Sequence, residues 1–253
     1  MTSAEGGCPR LVGGVDGVRG GGWIMAVTGM CSESSVTVFS VWSSFTDLWS
    51  HACRKGLRAV AVDIPIGLPC GGARPSDTEA RSRLKGRPGR TSSVFPAPPL
   101  CTLEADTYQD ARKMAQRCRE KGLTAQANAL FPRIREVRGV LQPDDLQSGA
   151  GPLAAEVHPE VSFAALAGGA PMRFHKSRQA GVAERLASLV AHFPNIMEEA
   201  VRTQIPGPPA PGLDDVLDAV SAAWTARRLI SGRAQRLGGC AKDETNYPMS
   251  IWV

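Results

Sequence analysis

Apolar residues dominate 11–16, 22–27 and 36–41, and short glycine- and serine-containing stretches separate the three runs. Runs of that length with such breaks read as strands. Connections this short join antiparallel neighbours, because a parallel return needs a crossover of about a dozen residues or more. The period then changes. Phe45, Leu48, Trp49 and Ala52 recur at helical spacing over 45–55, and Ala59, Val60, Ala61 and Val62 form an unbroken apolar run ending in Asp63. A strand apolar at every position is one covered on both faces. A β-α-β step therefore follows the three-stranded meander.

Ser76 and Glu79 have the spacing of a capping box, predicting a helix that starts at Ser76 and stops at Gly86-Arg87-Pro88-Gly89. The stretch 87–99, rich in Pro, Gly and Ser, reads as a loop. Helices are expected over 104–121 and 125–140, a short strand over 153–157, and helices over 159–167, 179–193 and 195–203. A proline-rich link over 206–211 precedes a strong final helix over 214–230, and 249–253 suits an edge strand. The pattern predicts a single α/β domain over 1–253: a mixed sheet of three antiparallel strands followed by parallel strands, flanked by helices, with a helical insertion over 70–150.

Composition adds limits rather than detail. With 43% hydrophobic and 21% charged residues, the chain is of ordinary globular type, and no stretch approaches the roughly 18 apolar residues of a membrane span. The start, 1–10, lacks the apolar run of a secretory signal, so a cytoplasmic protein without membrane contact is expected. The seven cysteines are scattered and never at C-x-x-C spacing, which predicts free thiols rather than a disulfide framework or zinc site. A net charge of +5 favours a polyanionic partner, and Arg74, Arg81, Arg83, Lys85, Arg87 and Arg90 concentrate positive charge over 74–90. A solvated helix face and loop accounts for that cluster equally well. Nothing in the sequence fixes an oligomeric state.

The chemistry lies in the acids. Asp16 and Asp63 each end an apolar strand just before a Gly or Pro turn, where a carboxylate can leave the sheet. Parallel neighbours about 4.8 Å apart would bring the two together at the carboxyl edge, where α/β sheets place ligands. On the final helix, Asp214 and Asp218 lie one turn apart, and Asp215 is three residues from Asp218. Asp218 stands beside the apolar stripe of Leu217, Val220 and Trp224, a costly place for a carboxylate without a cation or donors. Asp214 is accounted for by the helix dipole. Converging carboxylates suit a hard cation with oxygen ligands, Mg²⁺ or Mn²⁺, able to polarise a phosphodiester and activate water.

In Glu156-Val157-His158-Pro159-Glu160, strand alternation would put Glu156 and His158 on one face. Glu156 could complete the metal site and His158 could act as base or phosphate ligand. Alternatively His158 satisfies backbone groups at a strand-to-helix corner. Lys176 is a further candidate for phosphate contact, set against a solvated turn.

Val15-Asp16-Gly17 with Gly21-Gly22-Trp23, Val62-Asp63-Ile64-Pro65, Arg90-Thr91-Ser92-Ser93-Val94-Phe95-Pro96, the 156–163 segment and Asp214-Asp215-Val216-Leu217-Asp218-Ala219 occur in an order that resembles the DUF429 family of predicted nucleases. The resemblance implies a ribonuclease H-like fold and a nuclease acting on nucleic acid, with substrate contacts from Arg90, Ser92 and Ser93 as well as Lys176. The Asp215-to-Ala219 pattern is also similar to that of Holliday-junction resolvases, which implies Asp16 and Asp63 as strand ligands and Asp215 with Asp218 as the helical pair. The first predicted helix departs from the ribonuclease H pattern: it offers only Asp47, so Glu156 would have to substitute for its glutamate. Two other readings stand beside the nuclease. One is a catalytically silent binding module; the other is an actin-like nucleotide-binding protein using the glycine-rich turn after Asp16.

Overall fold

The computed structural model describes residues 10–30, 36–118, 123–147, 150–198 and 210–253. Strands β1 (Leu11–Gly17), β2 (Trp23–Gly29) and β3 (Val38–Trp42) form the antiparallel meander. Gly20, Gly21 and Gly22 turn β1 into β2 with φ of 92°, 128° and 72°, a succession that only glycine adopts without strain. Helix α1 (Phe45–Arg54) is capped by the Ser44 hydroxyl, which accepts from the Asp47 N–H, and it buries Phe45, Leu48, Trp49 and Ala52. It returns the chain to β4 (Ala59–Val62), parallel to β1 and buried at every position. β5 (Leu153–Glu156) joins β4 in parallel, giving the order β3-β2-β1-β4-β5.

Between β4 and β5 lie α2 (Pro75–Arg83), α3 (Tyr108–Arg117), α4 (Ala125–Ala129) and α5 (Phe131–Val140). Ala111, Ala115, Ala127, Ile134 and Val137 share one core with Trp23, Phe45, Leu48 and Val60, so α3 to α5 cover one face of the sheet. On the other face, α6 (Pro159–Leu166), α7 (Gln179–Val190) and α8 (Leu213–Ile230) bury Phe163, Leu189, Leu217 and Val220 against Ile24 and Ala26. Each such side chain contributes about 2 kcal/mol by leaving water. Coverage of both faces is what the unbroken apolar run of β4 requires.

Helix α8 lies unusually close to the sheet at Gly14. A Cβ there would meet the Ala219 carbonyl oxygen and the Ala223 nitrogen at 2.1 Å. The absent side chain lets the backbone of α8 rest on β1, which brings the helix's first turns over the carboxyl ends of the central strands.

Several expectations change. Ser76 is not a cap: Pro75 occupies the first turn, the helix begins one residue earlier, and the buried Ser76 hydroxyl has no partner among the described residues. The expected helix over 104–121 is a 3-10 turn, Leu100–Glu104, followed by α3, with Thr107 as cap. The 125–140 helix divides at Leu130, just before Pro132. Cys101 is joined to Cys118 in a disulfide rather than left free, while Cys53, Cys70 and Cys240 are thiols. The tail contributes only β7 (Ile251–Trp252), paired with β6 (Arg236–Leu237) and bridged once to Val157 beside β5. Cys8, Cys31, most of the proline-rich link and much of the 195–203 helix lie outside the described residues. Among the described residues no helix is long and apolar enough to cross a membrane.

Candidate functional site

The site is built on sheet register. Val15 pairs with Val62, and the Asp63 N–H donates to the Val15 carbonyl at 3.0 Å, so Asp16 and Asp63 sit side by side at the carboxyl ends of β1 and β4. Asp16 is opposite Ile24, whose side chain packs with α8, so the two carboxylates share the face covered by that helix. Asp218, one turn into α8, completes the group. Asp16 is 8% exposed and Asp218 3%, and Asp63 is partly buried.

Burial above all holds these acids away from their charged forms. Burial pushes the Asp63 carboxyl up to about 7, with Lys176 and Arg133 opposing and Glu160 adding to the rise. Burial likewise pushes Asp218 up to about 6, against the pull of Lys176 and with help from Asp63 and Glu160. Asp16 rises well above the ordinary carboxylate range through burial, Asp63 and Asp218. Asp16 Oδ1 accepts from the Gly17 N–H at 2.7 Å, whereas the carboxylate of Asp63 has no hydrogen-bond donor among the described residues.

Lys176 supplies the nearest full positive charge. Its Nζ donates to Asp218 Oδ2 at 2.6 Å, and although burial opposes its charge, Asp218, Asp16 and Asp63 lift the ammonium above the ordinary lysine range. The sequence left Lys176 between phosphate contact and a solvated turn; here it is bound to an acid of the site. Asp215 lies at the margin, its Oδ2 accepting from the Gly212 N–H at 3.0 Å, and burial raises its carboxyl. Arg19, Lys176, Gly212, Asp214 and Asp215 line a cleft of about 500 Å³ beside the acids.

Glu156 does not join this group. It pairs in register with Val62, one residue short of Asp63, so strand alternation points it to the opposite face. There Oε1 takes Arg74 Nη2 at 2.6 Å, and Oε2 takes Arg74 Nη1 and the Ile66 N–H, both at 2.8 Å. Arg74, 3% exposed, also donates to Asp77 and to the Gly67 carbonyl. This buried network pins the loop that follows Asp63, and it removes Arg74 from any external basic surface; Arg83, Lys85 and Arg87 remain exposed.

His158 is the N-cap position of α6 rather than a strand residue, and its Nε2 meets the Ser93 carbonyl at 3.2 Å. Burial lowers its pKa, which keeps the imidazole neutral. The hydroxyls of Ser92 and Ser93 donate to the Gly89 and Arg90 carbonyls, both at 2.7 Å, and so close their own turn. Arg90 approaches Glu160, with Nη1 3.9 Å from Oε1. Glu160, to which the sequence reading gave no role, is the carboxylate from this segment that acts electrostatically on Asp63 and Asp218. Pro159 was the available signal: a proline at the first helical position ends the strand, so Glu160 belongs to a helix's first turn.

Among the described residues no group of three or more Asp, Glu, His or Cys side chains is placed so that it could hold a metal ion. Asp16, Asp63 and Asp218 present only oxygen donors, the type a hard cation prefers, and among the described residues the ion pair to this trio is that of Lys176 with Asp218. No curated protein and no solved structure matched the chain. The model of a protein family of unknown function matches residues 14–243, and on that span, nearly the whole chain, this protein belongs to the DUF429 family.

Proposed function

We propose that this protein is a divalent-metal-dependent phosphodiesterase acting on nucleic acid, built on a ribonuclease H-like sheet. The observation that carries the reading is the convergence of Asp16, Asp63 and Asp218 from two adjacent parallel strands and the final helix, with all three carboxyls pushed upward by burial. The sheet order, with two antiparallel strands on one side of β1 and two parallel strands on the other, supports the architecture.

Asp16, Asp63 and Asp218 would hold Mg²⁺ or Mn²⁺, with Asp215 at the rim; a bound ion would polarise the phosphodiester and activate water. Lys176, which pairs with Asp218, would be free to meet a substrate phosphate when a cation takes over that carboxylate. Arg19, on the same cleft, offers a second phosphate contact. Exposed Arg83, Lys85 and Arg87 add sequence-independent attraction for a polyanion. In this reading Glu156 is not assigned as a ligand, and His158, whose Nε2 is engaged with the Ser93 carbonyl, is not assigned as the base.

The test is a cleavage screen of labelled single-stranded, duplex and junction DNA and of RNA in Mg²⁺ or Mn²⁺, with folded Asp16→Asn as control. Metal-dependent cutting that the variant lacks supports the assignment. Cutting retained by the pure variant removes Asp16 from the chemistry, and no cutting of any substrate favours a silent binding module.

A further inference from the structure

The end of α8 remote from the acids carries a cluster of the opposite sign. From Asp218 to Arg228 the helix rises about 15 Å. There Arg227, Arg228 and Arg233 line a separate cavity of about 190 Å³, with His192 and Trp224 in its wall. Among the described residues that line it there is no carboxylate.

Arg227, 7% exposed, is locked in place. Its Nε donates to the Gly29 carbonyl at 2.7 Å and its Nη1 to the His192 carbonyl at 3.0 Å, and its guanidinium lies 4.3 Å from the centre of the Phe193 ring. Arg228 rests 4.6 Å from the centre of the Trp224 ring, and its Nη2 donates to the Arg233 carbonyl at 2.7 Å. Its Nε is buried with no partner among the described residues, and neither Arg228 nor Arg233 is in an ion pair among them. Burial, then the charge of Arg233, presses the Arg228 guanidinium toward its neutral form; burial, then Arg227 and Arg228, lowers the pKa of His192.

The helix dipole accounts for cations in the last turn of α8, but its charge of about one half is small beside three guanidiniums, and it gives no reason to bury a donor beside a cavity. The carbonyls of Arg227 and Arg228 already accept from the Ser231 and Arg233 N–H groups, at 3.0 and 2.8 Å, so they make no claim on these side chains. A buried donor left open by its own chain calls for an acceptor from outside it.

We infer that this cavity is an anion site that takes a phosphate group, gripped by Arg228 and Arg233 with Arg227 as a fixed positive charge beside them. Guanidinium forks meet phosphate oxygens in pairs, and three positive charges suit a dianion better than a single carboxylate. The cavity is smaller than the roughly 300 Å³ at which sites for whole small molecules begin, so it admits the phosphate and little of the molecule that bears it. The site shares no residue with the acid cluster, so it stands or falls apart from the metal-dependent reading.

The test is binding to the full chain in EDTA, by calorimetry for inorganic phosphate and by fluorescence anisotropy for a labelled single-stranded oligonucleotide. The proteins are wild type, Arg228→Gln, Arg233→Gln and, as a charge control, Lys55→Gln, an exposed position at the end of α1 on the other face of the sheet. We expect both arginine variants to weaken phosphate binding at least about tenfold and Lys55→Gln to leave it unchanged. A parallel loss of oligonucleotide affinity assigns the phosphate to a nucleic-acid backbone, and unchanged oligonucleotide affinity assigns it to a small phosphate-bearing ligand. Absence of phosphate binding in the wild type, wild-type affinity in the arginine variants, or the same loss in Lys55→Gln overturns the site. Should Arg228→Gln fail to fold, Arg233→Gln, at an exposed position, decides on the same terms.

Discussion

Asp63→Asn should stabilise the metal-free protein at neutral pH, although it removes a residue on which the proposed activity depends. Asp63 is partly buried, lacks a hydrogen-bond donor among the described residues, and has its carboxyl lifted by burial from an ordinary 3.8 to about 7. A rise of that size corresponds to about 4 kcal/mol held against folding once the group is charged. Local relaxation and water entry reduce the measurable effect, so we expect about 1–2 kcal/mol, or roughly 3–6 °C in melting temperature for a chain of this size. The sign follows from proton binding. The native state holds the Asp63 proton more tightly than the unfolded state does, so wild-type stability falls as pH rises from about 4 to about 7 and levels off above. Asparagine carries no such penalty, so its advantage should be full at pH 8, shrink through pH 6 and vanish near pH 4. The assay is thermal or urea unfolding in EDTA across that range. A variant less stable than wild type at pH 8, or one with the same gain at pH 4, would refute the reasoning.

Other perturbations test separate parts of the account. Gly14→Val places a branched side chain where a Cβ already lies 2.1 Å from the backbone of α8, and it should cost about 3 kcal/mol or more in urea unfolding and displace Asp218 from the site. Arg74→Ala leaves Glu156 buried and unpaired, for an expected loss of about 3–5 kcal/mol, whereas Arg83→Ala on the exposed side of α2 should stay within about 0.5 kcal/mol. Lys176→Gln removes the ammonium that competes for Asp218, so calorimetry should show tighter Mn²⁺ binding while gel-shift affinity for nucleic acid falls; weaker Mn²⁺ binding would contradict the role given to Lys176.

Much of the fold was legible because it is local. The meander, α1, β4 and α8 follow from runs and periods that one segment carries alone, and Asp16 and Asp63 declared themselves as acids ending apolar strands. Asp218 was legible because a carboxylate beside an apolar stripe needs a reason. That Glu156 turns to the opposite face from Asp63 was not, since it depends on the register of β5 against β4: a shift of one residue reverses every side chain, and hydrogen bonding between distant segments sets that register. Arg74 read as part of a basic surface because its partner Glu156 lies 82 residues away. Ser76 looked like a cap by spacing, but Pro75 suited the helix's first position better and started it earlier.

The claim on which the rest depends is that the buried acids of β1, β4 and α8 form a cation site. Calorimetric titration of the metal-free full chain with Mg²⁺ and Mn²⁺, beside folded Asp63→Asn, tests it most directly. The account predicts saturable binding to the wild type, proton release on binding as the raised carboxyls ionise, and loss of both in the variant. Absence of binding to the wild type, or equal binding to both proteins, would contradict it.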